Sequence, residues 1–120
     1  MVILDANAIL RYILKDIPEQ AQITAETILN AEILILPEVV AEVVYVLNKR
    51  YDLTRALISR VITDVLNDTE CEDIVIREGL RVFGATDFDF VDCLLYAHSK
   101  SNTILTFDKK LNNLIKTGSV

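Results

Sequence analysis

The sequence predicts an α/β fold, a three-layer α/β/α sandwich around a central parallel sheet of four to five strands, built as one domain over residues 1–120. Three observations predict it. Short apolar runs alternate with stretches of helical period along the whole chain. The apolar runs do not alternate with polar residues, the pattern of strands covered on both faces. Strands that alternate with helices need βαβ crossovers, which makes the sheet parallel and places helices on both sides.

Taken in order, Val2–Leu4 reads as a buried first strand that stops at Asp5, and the helix after it carries Ile9, Leu10, Ile13 and Leu14 as its apolar stripe. Lys15–Pro18 breaks the chain. Glu19–Ala31 reads as an amphipathic helix with Ile23, Ala25, Ile28 and Leu29 inward. Glu32–Leu36 is a second strand ending at Pro37, a residue suited to a helix's first turn, so Pro37–Tyr51 is helical. After a turn at Asp52–Thr54, which offers an N-cap, Arg55–Leu66 is helical with Leu57, Ile58, Val61, Ile62 and Val65 inside. Asn67–Glu70 is a loop, Cys71–Ile76 a third strand, and Arg77–Phe83 a short helix closed by Gly84. Asp87–Phe90 leads into a helix over Val91–Ser99, and Asn102–Thr106 is a fourth strand. Lys109–Val120 holds one short helix and at most the start of a fifth strand at Gly118–Val120. Val39, Val43, Tyr45, Val46, Leu57, Ile58 and Val61 are more apolar positions than two helices on one sheet face need, so a partner is expected on that pair.

Composition narrows the function. Apolar residues make up 52% of the chain and mean hydropathy is +0.34, yet no uncharged run approaches the roughly 18 residues of a membrane span. No basic segment precedes Val2–Leu4, so no secretory leader is read and a cytoplasmic location is expected. Cys71 and Cys93 are isolated and read as reduced structural thiols. The net charge of −6 argues against a broad basic footprint for nucleic acid; acidic groups gathered around bound cations give the same balance. The three glycines fit neither a dinucleotide nor a P-loop spacing. The lone His98 reads as a surface residue, and no Ser/His/Asp or Cys/His set supports a protein nucleophile.

Four carboxylates stand out by position. Asp5 and Asp108 follow apolar runs, at the strand ends where open α/β sheets bind ligands. Glu42 lies among Val39, Val40, Ala41, Val43 and Val44, and Asp92 among Phe90, Val91, Cys93, Leu94 and Leu95. Each has an ordinary alternative: Asp5 and Asp92 as helix caps, Glu42 as a partner of Arg11 or Lys49. Glu38, Asp87 and Asp89 read as surface residues. If the four converge, each pair near 4 Å repels by roughly 4 kcal/mol at an effective dielectric near 20, so a cation must offset them. Oxygen-only ligands favour Mg²⁺ or Mn²⁺, and such an ion suits phosphodiester hydrolysis. A phosphodiester substrate would then lie over the nearest cations, Arg11, Lys15, Lys109 and Lys110.

Asp5-x-Asn7 after a first strand, Glu42 in a Pro-started helix, Phe90-Val91-Asp92-Cys93-Leu94-Leu95-Tyr96-Ala97 and Leu105-Thr106-Phe107-Asp108 together resemble the PIN domain, and within it the small VapC-type toxins. The resemblance covers essentially the whole chain. It implies that Asp5, Glu42, Asp92 and Asp108 form the acidic metal-binding quartet, and that Asn7 and Thr106 orient the first and last carboxylates. It further implies Mg²⁺/Mn²⁺-dependent endoribonuclease activity, a homodimer and inhibition by a cognate antitoxin protein. A receiver domain, similar in length and acidity, is excluded: Ala6 follows Asp5 where a second acid belongs, and the third strand ends at Ile76-Arg77 without a phosphoacceptor Asp. A DNA-cutting nuclease on the same site and a PIN-like module that binds RNA or protein stand as alternatives.

Overall fold

The computed structural model describes residues 1–120 as seven helices and two short strands. The strands β1 (Val2–Ile3) and β2 (Ile33–Leu34) are parallel, with Val2 opposite Ile33 and Ile3 opposite Leu34. Between them run α1 (Ala6–Leu14) and α2 (Pro18–Asn30); after them come α3 (Pro37–Lys49), α4 (Arg55–Asp68), α5 (Ile74–Ala85), α6 (Phe90–His98) and α7 (Lys109–Thr117). The helix starts follow from local chemistry. Asp5, Thr54, Asp73 and Asp108 each accept a backbone N–H of the first turn. Pro18 and Pro37 open α2 and α3, where a missing N–H costs nothing.

The expected sheet of four to five strands is reduced to two. At the third, Asp73 Oδ1 accepts from the N–H groups of Val75 and Ile76 at 2.9 and 3.0 Å. That cap turns Ile74-Val75-Ile76 into the first turn of α5, which also absorbs the expected short helix and runs past Gly84. At the fourth, residues 103–107 have no strand partner, and Leu105 and Phe107 are 85% and 91% exposed. Their end is tied to α7 instead: Asn112 Nδ2 donates to the Thr106 carbonyl at 2.8 Å. No fifth strand forms, because Gly118 takes a left-handed conformation (φ 62°) and closes α7 with its N–H on Leu114 O.

The core lies between helices rather than on a sheet. Val43, Leu47, Ile58, Leu66, Ile76 and Leu80 are completely buried there. The molecule is flat, 46 × 30 × 19 Å along its principal axes. Contact between α4 and α5 is close at Gly84, where a Cβ would stand 2.8 Å from Ser59 Cβ. The surplus of apolar residues on α3 and α4 is mostly absorbed by this thick core: Val43 and Ile58 are buried, Val39, Val46 and Val61 pack against it, and Tyr45 alone is exposed. On α2 the expected inward face is open, with Ile23 and Leu29 exposed and Thr24 buried, because α2 packs chiefly on α1. No helix is long and apolar enough to cross a membrane.

Candidate active site

Asp5 sits where β1 gives way to α1, and its Oδ1 accepts from Ala8 N at 2.8 Å. The capping role open from the sequence is therefore real, and it occupies one carboxylate oxygen. Asp5 and Asn7 line a cleft of about 530 Å³ with Glu42 of α3, Arg11, Arg50 and Tyr51. Glu42 is exposed and pairs with neither Arg11 nor Lys49. Arg11 lies 3.1 Å from Asp16, but its buried Nε is not aligned for a hydrogen bond. Asn7 is exposed and its side chain makes no hydrogen bond.

Asp92 stands in the first turn of α6 and is half-buried. Burial pushes its carboxyl above the usual carboxylate range, and the charges of Asp89 and Asp108 push the same way; Lys110 offsets part of this. Asp89 holds the N-cap position of α6 without making a capping bond. Sequence reading left Asp89 on the surface; its place three residues before Asp92, one helical turn away, is the signal that pairs them. Asp108 caps α7, its Oδ1 accepting from Leu111 N at 2.9 Å. Thr106 supports it through the backbone, its hydroxyl accepting from Asp108 N at 3.1 Å.

Two cations hold the segment that leads into α6. Arg55 of α4 donates Nε to the Phe83 carbonyl at 3.0 Å and Nη2 to the Phe88 carbonyl, and its guanidinium lies 3.7 Å from the Phe83 ring centroid. Lys110 of α7 bonds Asp87 at 2.8 Å and lies 4.6 Å from the Phe88 ring centroid. Together they tie the start of α7, and so Asp108, to the start of α6. Beside them a cleft of about 450 Å³ is lined by Asp89 and Asp92 together with Tyr45, Asn48, Lys49 and Arg55.

Helix α3 thus separates the expected quartet into two groups. Asp5 and Glu42 share one cleft, while Asp92 interacts with Asp108 and lines the other. No three acidic, His or Cys side chains come close enough to hold one ion. Mg²⁺ asks for less than that: it keeps several waters and is commonly held by one or two carboxylates plus substrate phosphates. The repulsion at Asp92, which Lys110 only partly offsets, is what a cation would relieve, and the carboxylate oxygens of Asp92 and Asp108 are the hard donors such an ion takes. Of the cations expected beside RNA, Arg11 lines the Asp5 cleft and Lys110 is engaged by Asp87. Lys15 and Lys109 line clefts that hold none of the four carboxylates. A further cleft of about 630 Å³, at Leu29, Glu32 and Glu70, contains none of the candidate residues.

No curated protein matches the chain. No solved structure matches it either. One family model does: that of the PIN domain, an α/β family whose members are commonly nucleases, and it spans residues 2–116 and so contains all four carboxylates. The chain belongs to the PIN-domain family.

Proposed function

We propose that the chain is an endoribonuclease dependent on Mg²⁺ or Mn²⁺, and the toxin of a type II toxin–antitoxin pair of the VapC type, acting in the cytoplasm. The observation that carries this reading is that the PIN-domain match spans all four carboxylates, with the half-buried Asp92 and its neighbour Asp89 lining one surface cleft. Asp92 and Asp108 would hold the cation; Asp5 and Glu42 line the other cleft. When bound, such a cation stabilises charge on the phosphodiester and makes water a stronger nucleophile at neutral pH. The chain's own residues do the positioning. Arg55 and Lys110 fix the approach to α6, Thr106 and the cap on α7 hold Asp108, and the Ala8 N–H leaves Asp5 Oδ2 without a protein donor. A homodimer and a cognate antitoxin belong to the same proposal; the open side chains of Leu105 and Phe107 support a protein partner.

The test is cleavage of single-stranded and structured RNA in Mn²⁺ or Mg²⁺, with DNA of the same sequence alongside. RNA should be cut and DNA spared, EDTA should stop the reaction, and Asp92→Asn should lower the rate by orders of magnitude while circular dichroism is unchanged. Wild-type rates in Asp92→Asn would remove the assignment, and equal cutting of DNA would move it to the broader nuclease.

A further inference from the structure

We infer that the end of α3 and the turn after it, Tyr45 to Tyr51, form the surface on which single-stranded RNA lies between the two clefts. This rests on the ribonuclease reading and names where its substrate binds.

A protein of net charge −6 has few cations to spare for phosphates. Six of its twelve are engaged within the chain: Arg11 by Asp16, Arg81 by Glu78 and Lys110 by Asp87 as ion pairs, Arg55 and Arg77 by backbone carbonyls, Lys100 by the Tyr96 hydroxyl. Among the remainder, only Lys49 and Arg50 line clefts that also hold the candidate carboxylates. Lys49 lines the Asp92 cleft and Arg50 the Asp5 cleft. Both are exposed, and neither side chain makes an ion pair or a hydrogen bond.

The helix dipole explains why cations gather at the end of α3. It does not explain the aromatics around them. Of the four tyrosines, Tyr96 is buried and Tyr12 bonds Asp68; the two open ones, Tyr45 at 61% and Tyr51 at 43% exposure, flank Lys49 and Arg50. Tyr45 lines the Asp92 cleft and Tyr51 the Asp5 cleft, as the two cations do. Cations that follow a backbone, interleaved with aromatic rings on which bases stack, are what sequence-tolerant binding of a single strand requires. Duplex RNA offers no unstacked base to such rings. A strand across this ridge would present its phosphates to both clefts.

The experiment uses full-length Asp92→Asn protein, in which slowed cleavage is expected to leave binding measurable, and an oligouridylate carrying one 2-aminopurine. Lys49→Gln/Arg50→Gln should flatten the dependence of log affinity on log salt by about 1.4, at about 0.7 per phosphate contact on a single strand. Tyr45→Ala and Tyr51→Ala should each weaken binding by about fivefold or more and relieve the quenching of 2-aminopurine, while Tyr→Phe at either position retains both. In otherwise wild-type protein the same four substitutions should raise KM and leave kcat within about twofold. RNA binding with an unchanged salt slope and unchanged quenching overturns the inference and leaves the ribonuclease reading standing. An acidic peptide that competes for Lys49 and Arg50 while RNA affinity stays unaltered would assign the ridge to a protein partner. Absence of both RNA binding and RNA cleavage overturns the reading itself.

Discussion

Removing Arg55 is expected to damage both stability and the candidate site. Its half-buried guanidinium satisfies two carbonyls, Phe83 in the last turns of α5 and Phe88 in the segment before α6, and it stacks on the Phe83 ring. A hydrogen bond from a charged donor contributes about 1.5–3 kcal/mol, and a cation over a partly exposed ring about 0.5–1 kcal/mol. At the low end of each range, as partial exposure requires, Arg55→Ala costs about 3–4 kcal/mol, a large part of the roughly 5–15 kcal/mol that holds a domain folded. Arg55→Lys should lose about half as much, because one ammonium cannot span both carbonyls and stack as well. Urea unfolding followed by circular dichroism measures the difference, with an unchanged m-value showing that the effect lies in the folded state. Because the freed segment carries Asp89 and leads to Asp92, cleavage by Arg55→Ala should fall further than its folded fraction at the same temperature. An Arg55→Ala midpoint within about 0.5 kcal/mol of wild type would refute the clamp, since that is the range of surface substitutions.

Three more outcomes follow from other parts of the molecule. The carboxyl of Asp92 titrates above its unfolded value, so it favours folding at low pH and loses that contribution as pH rises through its folded pKa; at neutral pH in EDTA, Asp92→Asn should therefore melt higher than wild type, and added Mn²⁺ should raise the melting temperature of wild type only. Tyr12 is pushed up to about 12, first by its hydrogen bond to Asp68 and then by burial and the Asp68 charge; its contribution is complete below the unfolded value near 10 and lost as pH rises through about 12, and an ultraviolet titration of wild type against Tyr12→Phe should show that one late phenol. Gly84→Ala should destabilise by about 1–3 kcal/mol because the new methyl meets Ser59 Cβ at 2.8 Å, close to the α4 backbone. Gly79→Ala should cost less, since it meets the end of the Leu94 side chain and gains about 1 kcal/mol of helix propensity; the two unfolding midpoints decide it.

The sequence carried the helices well, because periodicity and caps are local. Pro37 and Thr54 mark the starts of α3 and α4, and the buried stripes of α3 and α4 lie where the 3.6-residue period puts them. The strands were less legible. An apolar run of three or four residues fits a strand or the first turn of a helix equally well, and at Ile74–Ile76 the bonds accepted by Asp73 decided it. At residues 103–107 the sequence has the composition of a strand, but a strand needs a neighbour, and pairing is not written in one segment. The odd placement of the four carboxylates was visible, and so was the capping alternative that Asp5 fulfils; Asp92, read the same way, makes no capping bond, and the cap that Asp108 gives α7 was not read. That α3 would stand between Asp5 and Asp92 could not be read from spacing, because it depends on how α3 and α6 pack. Nor could the pairing of Lys110 with Asp87, twenty-three residues away in the chain.

The flatness of the molecule has a consequence for its economy of surface. A compact monomer of 13.5 kDa exposes about 6,500 Å², whereas this chain exposes 7336 Å². The difference, roughly 800 Å², is the area that one partner contributes to an interface of standard size. Apolar groups that the flat shape leaves in water, Ile3, Leu105 and Phe107 among them, become stabilising once covered. If a second copy covers them, the melting temperature rises with protein concentration, as it does for any fold completed by association.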